Sequence, residues 1–391
     1  MSESSVFILG AGASAEAQAP LMGDFLRRAE DLRRTGAPPN AHADFERVAR
    51  AQAMLQHVLA KAKLDITNLE TVFAAFEMAQ LFGSLGTLPQ DDVRQLLTSM
   101  QRVIVETLDR SMKYHSEQVR VRESPFDSRL VHQIVAPPPY PKFARLVKKL
   151  REAGQRVSLI TFNYDIAVDV SLWRVGEDFD YGLDDDLEGR EKLPLLKLHG
   201  SLNWSGCSKP GCRTVRPRLV RDVIQDIEKA RRERGDTREG PIVTLDVASS
   251  LPKVQHCDQP CAATPVIVPP TFSKGGYQQQ LTPVWRRAAA CLAEADNVFV
   301  IGYSWPRGDH FFHQLYALGS VGERLTRRFW VFNPDPRVLE RFRDELLGQL
   351  ALGAFGPVEP TGPDRLLPTD FRGAITTLCD VFRIDENQLR A

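Results

Sequence analysis

Four short polar clusters in this chain each follow an apolar run, and each holds side chains able to orient or ionise a ligand. Gly10-Ala11-Gly12-Ala13-Ser14 follows Ser5–Leu9, and Asn163-Tyr164-Asp165 follows Arg156–Thr161. His199-Gly200-Ser201 follows Leu193–Leu198, and Gly302-Tyr303-Ser304 follows Asn297–Ile301. Asn333 ends a further run, Phe329–Phe332. A Gly-x-Gly turn after a strand lets the backbone approach a pyrophosphate, and a helix after it supplies free N–H groups and a favourable dipole. An imidazole titrates near neutral pH, so His199 suits a general base. Each signal also has a plain reading: a tight turn with no ligand, an Asn that only caps a helix, a histidine that is only structural. The glycine turn is weak by spacing, since no third glycine completes Gly-x-Gly-x-x-Gly. Recurrence at strand ends is what favours a site, because ligands of open α/β sheets bind beyond the carboxyl ends of the strands.

The elements that must position these residues follow from periodicity. Short apolar runs, among them Pro265–Val268, alternate with helical patterns, which predicts an α/β fold with a Rossmann-like parallel sheet and helices on both faces. Leu21–Leu32 repeats apolar residues at helical spacing, and TGAPPN near Thr35 breaks the pattern. From about Ala41 to Val119 the chain reads as helical throughout, giving a helical insertion over 36–135. The proline-rich stretch Val135–Pro141 is a rigid connector. The expected division is a Rossmann domain over 1–35, 136–206 and 262–391, the insertion, and a small polar module over 207–261.

That module carries Cys207, Cys212, Cys257 and Cys261, four of the chain's six cysteines. Two short cysteine pairs with turn residues inside them suit a tetrahedral zinc site, and four thiolates would leave no open position, so such a zinc would be structural. The pairing favours zinc over four unrelated thiols, with His256 as a substitute ligand. His310, after the Gly302–Ser304 turn, is a second site candidate, with a surface-loop role equally open.

Lys plus Arg and Asp plus Glu are both 50, for zero net charge. That excludes a strong direct nucleic-acid signal, since coating proteins carry a basic excess. The run Val6–Leu9 is too short for a signal peptide or a membrane span, so no membrane role and a cytoplasmic location are expected.

Taken together, the clusters resemble the sirtuin family. GAGAS at 10–14 is similar to its GAGxS cofactor turn, TFNYD at 161–165 to its TxNxD motif, and KLHGS at 197–201 to its motif with the catalytic histidine. IGYS at 301–304 is similar to its late GxS turn, and FNPDP at 332–336 to the strand-end Asn near the adenosine half. Tyr164 between Asn163 and Asp165, and Met22-Gly23-Asp24-Phe25 where the deacylases have Phe-Arg, resemble the prokaryotic NAD-hydrolysing branch that acts in anti-phage defence. The resemblance implies NAD as substrate and Asn163 and His199 as catalytic. It also implies cofactor contacts from Gly10, Ala11, Gly12, Ser14, Asp165, Gly302, Ser304 and Asn333. It implies gating by a homo-oligomer, or by a partner such as a DNA-translocating ATPase or an Argonaute-like protein. An NAD-dependent protein deacylase and a non-catalytic NAD or ADP-ribose sensor are the competing readings.

Overall fold

The structure is a computed structural model that describes residues 3–57, 64–124, 127–184, 192–207, 209, 212–233, 242–248, 251, 255–256, 259–269, 279–306, 314–317, 326–344 and 365–389. In chain order, β1 (Ser4–Leu9) leads through one short helical turn, Ala11–Ser14, into helices α1 (Phe25–Gly36), α2 (His42–Gln56), α3 (Leu69–Phe82) and α4 (Gln90–Ser111). Strands β2 (Tyr114–Ser124) and β3 (Asp127–Val135) follow, then α5 (Tyr140–Glu152), β4 (Arg156–Thr161), α6 (Ala167–Arg174), β5 (Phe179–Asp180) and β6 (Leu193–Lys197). Next come β7 (Gly200–Cys207), β8 (Val215–Pro217), α7 (Val220–Glu233), β9 (Ile242–Val243), β10 (Gln255–His256) and β11 (Gln259–Ile267). Helix Thr282–Ala293, β12 (Asn297–Ile301), β13 (Arg328–Phe332), helix Pro336–Phe342, β14 (Arg365–Leu367) and helix Phe371–Phe382 follow, with short 3-10 turns at Gln279–Leu281 and Glu386–Leu389.

Seven strands form one sheet in the order β14-β13-β12-β1-β4-β6-β5, and every neighbouring pair is parallel. All residues of β1 and β12 are buried, with no inside-outside alternation. Only a strand covered on both faces reads that way, so the Rossmann-like layering expected from the sequence is the architecture found. On one face Phe7 stacks on Phe299 and meets Phe143 of α5 edge-on. The sheet grows from β1 through β4 to β6 in one direction and from β12 to β14 in the other. The order therefore reverses between β1 and β12, and it is at such a reversal, beyond the carboxyl ends of the strands, that an open α/β sheet places its ligand crevice.

The insertion is helical to Ser111 but not to Val119. Residues 114–119 belong to β2, paired antiparallel with β3 from His115 opposite Val135 onward. Alternation over Glu117-Gln118-Val119-Arg120-Val121-Arg122 is the period of a strand, and it outweighs the helical pattern that runs up to it. Pro265–Val268 is a second difference. It falls at the end of β11, which pairs antiparallel with β7, Ile267 opposite Gly200, and not in the parallel sheet. The smaller sheet has the order β10-β11-β7-β8 and so reaches from Gly200 to Ile267, wider than 207–261. Gly200 permits this packing: its φ is +83°, and a Cβ there would lie 2.0 Å from the Val266 carbonyl oxygen.

The middle of the chain is tied to the insertion by strand pairing and by side chains. Strand β9 pairs with β2, and buried Asp109 of α4 accepts a hydrogen bond from Ala248 N at 2.8 Å. Burial pushes the Asp109 carboxyl up to about 7; the Ala248 and Val247 N–H groups oppose the rise, and the charges of Asp246 and Glu106 add to it. An acid whose pKa is raised by folding contributes most below its unfolded value of about 3.9, and that contribution is lost as pH climbs towards the folded value. The expected outcome is that Asp109→Asn, which keeps an acceptor oxygen, flattens the fall in stability between about pH 4 and 7. Urea midpoints of the two proteins measured across that window check this, and parallel profiles would contradict it.

Candidate functional site

The loops that leave β1 and β12 at the switch point lock onto each other. Gly10 N donates to Ile301 O at 3.0 Å and Gly12 N to Gly302 O at 2.8 Å. A Cβ on Gly10 would lie 2.4 Å from Tyr303 Cα, and one on Gly302 would lie 2.3 Å from Ala13 N. The glycines are thus required by the approach of one loop to the other. The turn therefore has a packing role besides the one expected of it. The helix after it is only the four residues Ala11–Ser14, and α1 starts at Phe25, so there is no long helix dipole behind the turn. The Gly10 and Gly12 N–H groups are spent on the β12 loop. Exposed Ala11 keeps an N–H with no backbone acceptor among the described residues.

Ser14 lies at the centre of the cluster. Its Oγ donates to Asp165 Oδ2 at 2.7 Å, accepts from Asn163 Nδ2 at 2.8 Å and meets Tyr140 Oη at 2.8 Å. A hydroxyl has one proton, so if Asp165 receives it, Tyr140 must be the donor in the third bond. Burial raises the Tyr140 phenol well above its ordinary range and keeps that proton in place. Asn163 Nδ2 also donates to Gly10 O at 2.9 Å. A carbonyl can only accept, so the amide nitrogen must face it, and the orientation of the Asn163 side chain is fixed by its neighbours. Both amide protons are then in use, and Oδ1 of this half-buried residue is the group left for a ligand. Thr161 Oγ1 joins β4 to β1 by donating to Leu9 O at 3.0 Å, and it accepts from Asn163 N at 3.1 Å.

Asp165 is buried two residues before the first residue of α6, its Oδ1 accepting from Ala167 N at 2.9 Å. Burial raises its carboxyl above the usual range, against the opposing pull of the Lys197 charge and the Ser14 hydrogen bond. Beneath it lies an ion pair with no exposure on either side chain, Lys197 Nζ to Asp169 Oδ2 at 3.1 Å. The same Nζ donates to the Asp165 carbonyl at 2.5 Å. Tyr181 Oη donates to Asp169 Oδ1 at 2.6 Å and accepts from Asn203 Nδ2 at 3.1 Å, which carries the network into β7.

His199 is buried at the start of β7, and its carbonyl accepts from Val268 N at 2.8 Å. Its ring meets the edge of Phe162, centroids 5.0 Å apart, and Phe162 stacks on Tyr303 at 4.5 Å. Asn333 is buried beside the same loop, with Nδ2 3.4 Å from Tyr303 O. Gly10, Gly12, Ser14, Asn163, Asp165, His199, Gly302 and Asn333 therefore form one contiguous cluster at the crevice. Ser304 is apart from it: the residue is exposed, and its carbonyl accepts from Arg341. His310 lies outside the described residues.

Tyr140, Lys197, Asp169 and Tyr181 are not singled out by the sequence, yet they support the cluster. Lys197 has a signal, a charge closing the apolar run Leu193–Leu196 just before the His-Gly pair. Tyr140 has none, since it stands among prolines with no period. Removing one partner of a buried ion pair strands the other's charge, at a cost of about 3–5 kcal/mol, whereas replacing both by apolar groups is often neutral. Lys197→Met is accordingly expected to destabilise the chain by about that amount, and Lys197→Met with Asp169→Leu to recover most of it. Denaturant melts of the three proteins check this; a single variant as stable as the parent would contradict it.

No family model matches the chain, and no curated protein sequence matches it. Among solved structures the chain is similar to Sir2Tm bound to a propionylated peptide, with 13% identity over 98% of this chain and 95% of that chain and a TM-score of 0.37. It is similar to a Sir2 homologue in complex with NAD, with 16% identity over 100% and 91% of the two chains and a TM-score of 0.37. It is also similar to a mutant Sir2 homologue in complex with ADP-ribose, with 16% identity over 98% and 92% and a TM-score of 0.38.

Proposed function

We propose that the chain cleaves NAD at the nicotinamide–ribose bond, giving nicotinamide and ADP-ribose. The observation that carries this reading is the Asn163 amide, held by Gly10 O and Ser14 Oγ so that Oδ1 is left to accept a hydrogen bond at the switch-point crevice. The order of the five motifs that resemble the sirtuins supports the same substrate.

Loss of nicotinamide builds positive charge on the ribose C1′, and a water held in line completes the reaction. Asn163 Oδ1 accepts from that water and aims its lone pair. The water oxygen bonds to C1′ as the C1′–N bond breaks, and nicotinamide departs as the neutral base. His199 takes the proton from the water and returns it to solvent. The Ala11 N–H is the donor that the glycine turn retains for the diphosphate. Asp165 works from beneath, by fixing Ser14 and the start of α6.

The reading includes control of the activity, because unrestrained NAD loss would harm the cell that makes the protein. Self-association, or a partner such as a DNA-translocating ATPase or an Argonaute-like protein, would supply it in anti-phage defence. No described helix is long and apolar enough to cross a membrane, and a cytoplasmic site of action fits the substrate. The test is nicotinamide release by the purified protein at several protein concentrations, with and without an acetyl-lysine peptide. Release without peptide is expected, falling about 100-fold or more in Asn163→Ala and in His199→Ala. Full activity in either variant would sink the assignment, and release only with peptide would make the protein a deacylase.

We also propose that the paired cysteines hold a structural zinc. Cys261 stands opposite Cys207 in the β11–β7 register, which brings one member of each pair to the same place, and the Cys212 N–H donates to Lys209 O at 3.0 Å. Cys257 lies outside the described residues, and no cluster of metal-ligating side chains occurs among the described ones. Metal analysis of the purified chain should find about one zinc per chain, lost in Cys207→Ser with Cys261→Ser; a metal-free, folded protein would contradict the proposal.

A further inference from the structure

A cavity of about 310 Å³ is lined by residues outside the cluster. Its walls are the proline connector (Val135, Pro138, Pro139, Pro141), α5, α6 and the start of helix Phe371–Phe382. The apolar side is rigid, because proline fixes the backbone. The polar side is cationic: Lys142, Arg145, Arg174 and Arg372 line it, with Glu117 as the single carboxylate of the lining. Three of these cations have carboxylate partners that do not line the cavity. Lys142 pairs with Glu386, Arg174 with Glu228 and Arg372 with Glu16. Arg145 has no carboxylate partner among the described residues, and its guanidinium donates to the Leu389 carbonyl at 3.0 Å. Ser171 of α6 also lines the cavity; the residue is 2% exposed, and its Oγ has no hydrogen-bond partner among the described residues.

Native proteins rarely leave a buried hydroxyl unsatisfied, and a guanidinium without a carboxylate beside a small apolar chamber has the fork geometry for an oxyanion. Burial lowers the Arg174 pKa, against the pull of Glu228, so a further anion at this wall would stabilise its charge. The volume is at the lower end for small-molecule sites. We infer that this cavity is a binding site for a small organic anion, a carboxylate or phosphate head on a compact apolar body, held by Arg145 with Ser171 at the α6 wall. The site is distinct from the crevice but shares its supports. Tyr140, between lining residues Pro139 and Pro141, meets Ser14 Oγ, and α6 is the helix whose first residue, Ala167, donates its N–H to Asp165.

The test uses the full chain with benzoate, phenyl phosphate and the neutral benzyl alcohol as probes. At about one-hundred-fold excess over Kd, at least one of the two anions is expected to raise Tm by about 2 °C or more, and benzyl alcohol is not. The preferred anion distinguishes a carboxylate from a phosphate source. Arg145→Met should weaken the response about tenfold or more. Ser171→Ala should leave the Tm without probe unchanged or higher, since it removes an unsatisfied hydroxyl, yet reduce the response. No shift with either anion, an equal shift with benzyl alcohol, or an undiminished response in both variants would overturn the proposal. The readout involves no NAD, so its failure is separate from failure of the cleavage reading.

Discussion

One hydroxyl organises the end of the sheet. Ser14 Oγ has one proton and two lone pairs, and Asp165, Asn163 and Tyr140 together use all three. These partners come from the loop after β4 and from the connector helix α5, so a single atom ties two distant parts of the chain to the turn after β1. With every bond made, none of the partners can rotate without stranding a buried polar group. The Asn163 amide is the consequence that matters most. Its nitrogen is consumed by the scaffold, and its oxygen is presented.

The layers beneath repeat this principle at higher cost. Lys197 and Asp169 are both removed from water, and such a pair contributes little net stability. Its effect is positional: the same ammonium holds the Asp165 carbonyl, and the Tyr181–Asn203 bonds carry the restraint into β7, the strand that begins beside His199. The network thus fixes the Asn163 side chain directly and reaches the strand that follows His199, whose ring is held by Phe162. The glycines contribute by absence of a side chain. Gly10, Gly12 and Gly302 let the β1 and β12 loops close on each other, which leaves the Ala11 N–H as a donor of the turn with no backbone acceptor among the described residues.

Much of this arrangement is legible in the amino-acid sequence. The strands β1, β4, β6, β12 and β13 are short, apolar and bounded by polar turns, and the cluster residues stand directly after them, so position alone names Ser14, Asn163, Asp165, His199 and Asn333. The β2–β3 hairpin is hidden because its alternating stretch follows a long helical run without a glycine or proline between them. The place of β11 is hidden for a different reason: a short apolar run does not reveal its direction, and only the pairing with β7 does. Tyr140 and Ser171 carry no local pattern at all. Their roles arise from what folding places opposite them, and pair relations across more than a hundred residues leave no trace in spacing.

The central claim is that Asn163 offers its oxygen, not its nitrogen, to the reacting centre. The most direct measurement is a crystal structure with bound ADP-ribose. The account predicts the ribose in the β1–β12 crevice with C1′ or its attached hydroxyl facing Asn163 Oδ1, that hydroxyl within roughly 2.6–3.2 Å of it, and Nδ2 still bonded to Gly10 O and Ser14 Oγ. A ribose bound elsewhere, or an Asn163 side chain turned off Ser14 to donate to the ligand, would contradict it.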